Sequence, residues 1–216
     1  MPYQAIEQTL SISRLSTYRN TVQSLLGENC LETAIELYEW NADVSANMLV
    51  AIHIYEVALR NAISNAIELR YGVNWPLNIA FQNSLPRWQK NELLGLDEVQ
   101  NYQSVGKVLP ELRPVWYENM FRPAHNVRLW RPFFQQVFPN TVGLTPDQAV
   151  VRLKDSCFKI RKLRNRIAHH EPIFGHPTLH QIYPLIIETV EWRCNHTKQW
   201  LDSIERVTEL LSNPVI

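Results

Sequence analysis

Apolar residues recur every three or four positions along most of this chain, and runs that alternate every second residue are few. That period lines one side of a helix, whereas a half-buried strand needs a period of two. Only six glycines stand among the 216 residues, which fits poorly with a fold built on tight turns between strands. The expected fold class is all-α, and the thirteen prolines mark where helices start and stop.

Ser11 or Ser13 can cap a first helix carrying Leu15, Val22, Leu25 and Leu26, with Gly27 at its C-terminal end. A short helix near Leu31 to Trp40 is expected next. Asn41 or Asp43 would then cap a long helix with Val44, Met48, Ile52, Tyr55, Leu59, Ile63 and Ile67 on its apolar rows, stopped at Gly72. From Trp75 to Asn140 the chain changes character, with prolines punctuating short segments rich in Trp and Phe. This stretch, about 75–143, reads as a helical insertion within a single domain spanning 1–216. Val115-Trp116-Tyr117 and Trp130-Arg131-Pro132-Phe133-Phe134 offer aromatic anchors but little room for an independent core. Its Arg113, Arg122, Arg128 and Arg131 are expected on the rim of that aromatic core rather than stacked on bases.

Thr145-Pro146-Asp147-Gln148 is a helix start: Thr145 caps, Pro146 takes the first helical position, and Gln148 completes a capping box. The helix runs through Val151, Phe158, Ile160, Leu163 and Ile167. Pro172 disfavours helical geometry at Glu171, so it should end near His170. A last helical region is expected from about Pro177 past Leu211, interrupted or kinked at Pro184.

No stretch approaches the roughly 20 uncharged apolar residues of a bilayer span, the longest candidate being interrupted by His53 and Glu56. The first residues lack the basic start and apolar core of a secretory signal, which predicts a cytoplasmic protein with no membrane partner. Cys30, Cys157 and Cys194 are widely spaced, as reduced thiols are, not as a disulfide framework is. Lysine plus arginine equals aspartate plus glutamate at 21 each, so overall charge does not steer a polyanion and any nucleic-acid contact must be local. One basic stretch exists: Arg152, Lys154, Lys159, Arg161, Lys162, Arg164 and Arg166 face only Asp155. Lys159, Arg161 and Lys162 are the candidate RNA contacts within it, against the alternative of a solvated helix face.

The densest chemistry lies at the end of that helix, in Leu163-Arg164-Asn165-Arg166-Ile167-Ala168-His169-His170-Glu171-Pro172. Histidine accepts and returns protons near neutral pH, and arginine stabilises charge on a phosphoryl group. RNA cleavage without a metal needs those two services: proton transfer at the 2′-hydroxyl and the leaving 5′-oxygen, and charge stabilisation at the phosphate. A helix C-terminus favours imidazolium but opposes an anion, an effect that Arg164 and Arg166 would offset. Arg164 and His169 lie about 140° apart on an ideal helix, so their cooperation requires an opened helix end or a substrate lodged between them. Glu56 and Arg60 share a face of the long helix and can pair, with Asn61 beside them. Zinc is the rival reading, since His169, His170, His176 and His180 cluster. Pro177, however, makes His176 a cap, and no cysteine or acidic pair completes a ligand set. Neither a hydrolase elbow nor a phosphate-cradling glycine loop is present, so no cofactor is expected.

The order Arg164, polar Asn165, His169 resembles the Arg-x4-His signature of HEPN domains, and the longer string through Glu171-Pro172-Ile173-Phe174 is similar to the abortive-infection, or Abi-like (AbiD/AbiF), branch. Glu56-Val-Ala-Leu-Arg60-Asn61 and Tyr71-Gly72 with Trp75 extend the similarity. The resemblance implies a HEPN-like helical bundle and a metal-independent endoribonuclease leaving 2′,3′-cyclic phosphate ends, commonly a homodimer whose two sites face one cleft. It implies a catalytic set of Arg164, Asn165 and His169, with His170 as the alternative acid/base. Glu56, Arg60, Arg166 and Glu171 would support them. RNA would be the substrate, with a neutralising antitoxin or a phage-derived trigger as a further partner. The alternative is a noncatalytic RNA-binding or protein-interaction module of the same fold.

Overall fold

The computed structural model describes residues 2–216, and among them every regular element is helical. Helices α1 (Tyr3–Leu10) and α2 (Ile12–Leu26) form a hairpin about Ser11, which stands at φ 75° and accepts the Arg14 N–H through its side chain. Gly27, at φ 78°, closes α2 in the left-handed conformation that costs glycine little. The break expected before residue 41 does not occur. Helix α3 (Leu31–Tyr71) runs unbroken for 41 residues, about 60 Å, to Gly72. Asn41 is a buried mid-helix residue, and its Oδ1 accepts the backbone N–H groups of Ile173 (2.8 Å) and Phe174 (3.2 Å). An asparagine that reads locally as a cap serves a strand of chain 132 residues away.

The first turns of α3 pack with α2 into a small core of Leu15, Tyr18, Val22, Ala34 and Leu37, against which Phe174 also lies. The rest of α3 crosses the main core, where Val44, Met48, Ile52, Tyr55, Leu59, Ile63 and Ile67 are buried. By length and composition alone α3 would pass for a membrane span, and these two cores account for much of its apolar character.

Six short helices follow: α4 (Ile79–Ser84), α5 (Arg87–Leu94), α6 (Asp97–Gln100), α7 (Val105–Val108), α8 (Pro114–Asn119) and α9 (Arg131–Val137). Their buried apolar residues belong to the same core as those of α3. Trp75, Trp116 and Trp130 are fully buried, each with its indole N–H donated: to Ser64 Oγ, the Gln89 carbonyl and the Met120 carbonyl. Buried this way, these rings bind protein rather than bases. Arg113 and Arg131 pair with Glu92 and Asp147, and Arg128 donates to the Ser84 carbonyl and to His125.

Helix α10 (Pro146–Ala168) starts with the full Thr145–Gln148 capping box. Val150, Leu153, Cys157, Ile160, Leu163 and Ile167 face the core, whereas Val151 and Phe158, assigned to the apolar rows from sequence, stand in solvent. The closing region is three helices: α11 (Leu179–Arg193), α12 (Asn195–Ile204) and α13 (Val207–Ser212). Pro184 is accommodated inside α11, where it removes the hydrogen bond to the His180 carbonyl; the chain breaks instead at Cys194. All three cysteines are free.

Candidate active site

The end of α10 is closed by a two-bond turn. His170 N–H reaches the Ile167 carbonyl and Glu171 N–H the Arg166 carbonyl, each at 2.9 Å, while His169 N–H bonds Asn165 at 3.0 Å. This is the Schellman arrangement, which requires a left-handed residue just past the cap and usually finds glycine there. Here the residue is His170, at φ 55°. Three further contacts hold the turn. Arg166 donates to the Pro172 carbonyl (2.7 Å) and pairs with Glu171 (3.1 Å), and Arg14 of α2 donates to the His170 carbonyl (2.6 Å). The turn is therefore clasped from two sides while both imidazoles stand in solvent.

One helical turn earlier, α10 meets α3. Glu56 accepts from Arg60 at 3.0 Å and lies 3.8 Å from Arg164 Nε, so one carboxylate joins both expected segments, more than 100 residues apart in sequence. Glu56 and Arg60 are mostly buried, and Arg164 is about two-fifths exposed. The Arg60 guanidinium lies over the Tyr117 ring of α8 at 5.5 Å, and Arg161 pairs with Glu118 at 2.7 Å. Beneath them Tyr55 Oη contacts Cys157 Sγ at 3.1 Å. Burial pushes the Cys157 thiol up to about 12 and the Tyr55 and Tyr117 phenols above their usual range, so the floor of the cleft is neutral. Three guanidinium groups, Arg60, Arg161 and Arg164, against the two carboxylates of Glu56 and Glu118 leave this cluster with a net positive charge.

Arg164, Glu56 and Arg60 are thus brought together, whereas Asn165 is half-buried and His169, exposed at the helix end, stands about 140° round the axis from Arg164. The end of α10 is closed rather than opened, so only a substrate lodged between them joins Arg164 to His169. Arg166 and Glu171 both make contacts within the turn, Arg166 with the Pro172 carbonyl and with Glu171. Of the three expected RNA contacts, Lys159 pairs with Asp155 (2.7 Å) and Arg161 with Glu118; Lys162 forms no ion pair among the described residues. His176 Nδ1 faces Thr178 Oγ1 at 3.1 Å in the turn before α11, where burial and Arg166 lower its pKa. Among the described residues no three His, Cys, Asp or Glu side chains are grouped as metal ligands. Sequence reasoning missed Arg14, Asn41 and Glu118. Each acts across more than 40 residues, so local spacing carries no sign of them.

Chemically, the site offers a guanidinium held by one long carboxylate contact, a primary amide, and two solvent-facing imidazoles on a rigid helix end. A guanidinium can bind a phosphate oxygen and an imidazole can exchange a proton. Comparison with family models, curated proteins and solved structures returns no match for this chain.

Proposed function

We propose that the chain is an RNA endonuclease that works without metal or cofactor. Within that class, its motif string favours an Abi-like HEPN enzyme, serving phage defence or a toxin–antitoxin-like system. The observation that carries this reading is the Glu56 carboxylate shared by Arg60 and Arg164. The two stretches that carry the sequence resemblance meet at one point in space, beside the histidine-bearing turn.

In the proposed reaction the 2′-oxygen attacks phosphorus, the bond to the 5′-oxygen breaks, and a 2′,3′-cyclic phosphate and a 5′-hydroxyl result. Arg164 stabilises the charge growing on the nonbridging oxygens, and Glu56 fixes its position. Asn165 orients the phosphate or the imidazole. His169 exchanges protons with the substrate. Acceptance of the 2′-hydroxyl proton and donation to the 5′-oxygen take two groups. A homodimer with two sites facing one cleft supplies an imidazole for each.

The test separates catalysis from binding. Arg164→Ala and His169→Ala should each lower cleavage by about 10²- to 10⁴-fold while circular dichroism and RNA affinity stay close to wild type. A binding module gives the opposite pattern: nothing to lose in cleavage, with affinity resting on Lys162 and its neighbours. Unchanged cleavage in both variants would show that the site is misassigned.

A further inference from the structure

Phe158 is the large aromatic residue of α10, and it is 45% exposed although the helix has a deep core to bury it in. Its surroundings are mainly cationic, and Asp155, three residues back on the same side, is paired with Lys159 at 2.7 Å. The Arg161 guanidinium lies 5.6 Å and the Lys162 ammonium 5.5 Å from the ring. Arg161 is held by Glu118, but Lys162, and Lys154 one turn before Phe158, form no ion pair among the described residues and stand in solvent. On an ideal helix Asn165 and His169, seven and eleven residues on, fall within about 20° of the Phe158 azimuth, roughly 10 and 16 Å further along the axis. Val151, two turns earlier, lies on the same line and is 68% exposed.

One face of α10 therefore presents, in order, an apolar step, a lysine, an aromatic ring, a second lysine, an amide and an imidazole. We propose that this face is a track for single-stranded RNA, in which Phe158 stacks one base and Lys154 and Lys162 meet the flanking phosphates. The strand then runs toward Asn165 and His169. Every base has a π-face, so a phenyl ring with neighbouring cations grips a strand without reading its sequence. The base must be free of a duplex, since A-form pairs are stacked on each other and closed to a ring on a helix surface. The spacing sets the stacked base apart from the cleaved linkage, so Phe158 anchors and positions the strand without touching the reacting atoms. This inference rests on the ribonuclease reading and adds to it the form of the substrate and the place where it is held.

The experiment uses the full-length His169→Ala protein, which holds RNA without cutting it, and oligouridine of about 12 nucleotides as the probe. Fluorescence anisotropy should show F158L weakening single-strand binding by about tenfold or more, F158Y retaining it, and a duplex of equal length binding more weakly than the single strand. One abasic position, moved along the probe, should weaken binding at a defined site in the His169→Ala protein and have no effect in the F158L version. Phe158 is exposed, so the melting temperature should stay within a few degrees and report that F158L folds. Equal affinity of F158L, or a preference for duplex, would overturn the track while leaving the ribonuclease reading standing. Light scattering in which F158L alone breaks a dimer would reassign the face to a second copy of the chain. No RNA bound by any of the proteins would overturn this inference together with the reading beneath it.

Discussion

His170 sits where a Schellman turn wants glycine. A side chain at φ 55° crowds its own backbone, at a cost of about 1 kcal/mol, and such strain concentrates at functional turns. His170→Gly should therefore raise the unfolding free energy by about 1 kcal/mol in urea titrations. If His169 is the acid/base, the same variant should keep its cleavage activity; if activity falls with the fold stabilised, the role belongs to His170. The residue types at the end of α10 can be read in sequence, but Arg, Asn and His at a helix end also serve to satisfy carbonyls and neighbouring carboxylates, so their spacing alone does not separate a site from a cap. Their partners cannot be read there. Arg166 and Glu171 look identical in sequence to the supporting groups of a site, yet they spend their hydrogen bonds on the turn that displays the histidines.

Helix ends were readable where the signal is local: the Thr145 box, Gly27, Gly72 and Pro172 all mark real boundaries. Asn41 misled because the same side chain that caps a helix also serves any pair of backbone N–H groups brought near it. In this fold those groups belong to Ile173 and Phe174, the segment that carries the chain away from the candidate site. Asn41→Ala should leave the buried Ile173 N–H without an acceptor and lower stability by about 1 to 3 kcal/mol, whereas Asn41→Asp retains an acceptor and should lose less. Thermal melting of the two variants checks this; an unchanged Asn41→Ala would show that water replaces the amide at no cost. The exposure of Phe158 was equally hidden, since its place in an apolar period says nothing of whether a neighbouring helix covers that side.

For the molecule as a whole, the sequence disclosed the helical class, and the 3-to-4 period did so because the long helices each bury one side. It did not disclose the two cores, which arise only because α3 is continuous and outruns the main core at its N-terminal end. Global stability should carry an acid-sensitive component from His125, which is buried within the proline-rich segment. Its Nδ1 accepts from Arg128 at 2.9 Å, and burial with Arg128 and Arg122 lowers its pKa to about 4. The unfolded chain takes up that proton first as pH falls, so the contribution is whole above about pH 6.5 and is lost between there and about pH 4, up to about 3 kcal/mol. Denaturation of wild type and His125→Gln at pH 7 and pH 4 should show a smaller pH difference in the variant; equal differences would place the acid sensitivity elsewhere. Activity tests the account at its centre. Purified protein incubated with total RNA in EDTA, beside His169→Ala, should yield fragments with 2′,3′-cyclic phosphate and 5′-hydroxyl ends from the wild type alone. Cleavage that persists when His169 and His170 are both replaced by alanine, or that EDTA abolishes, would contradict metal-independent chemistry at the end of α10.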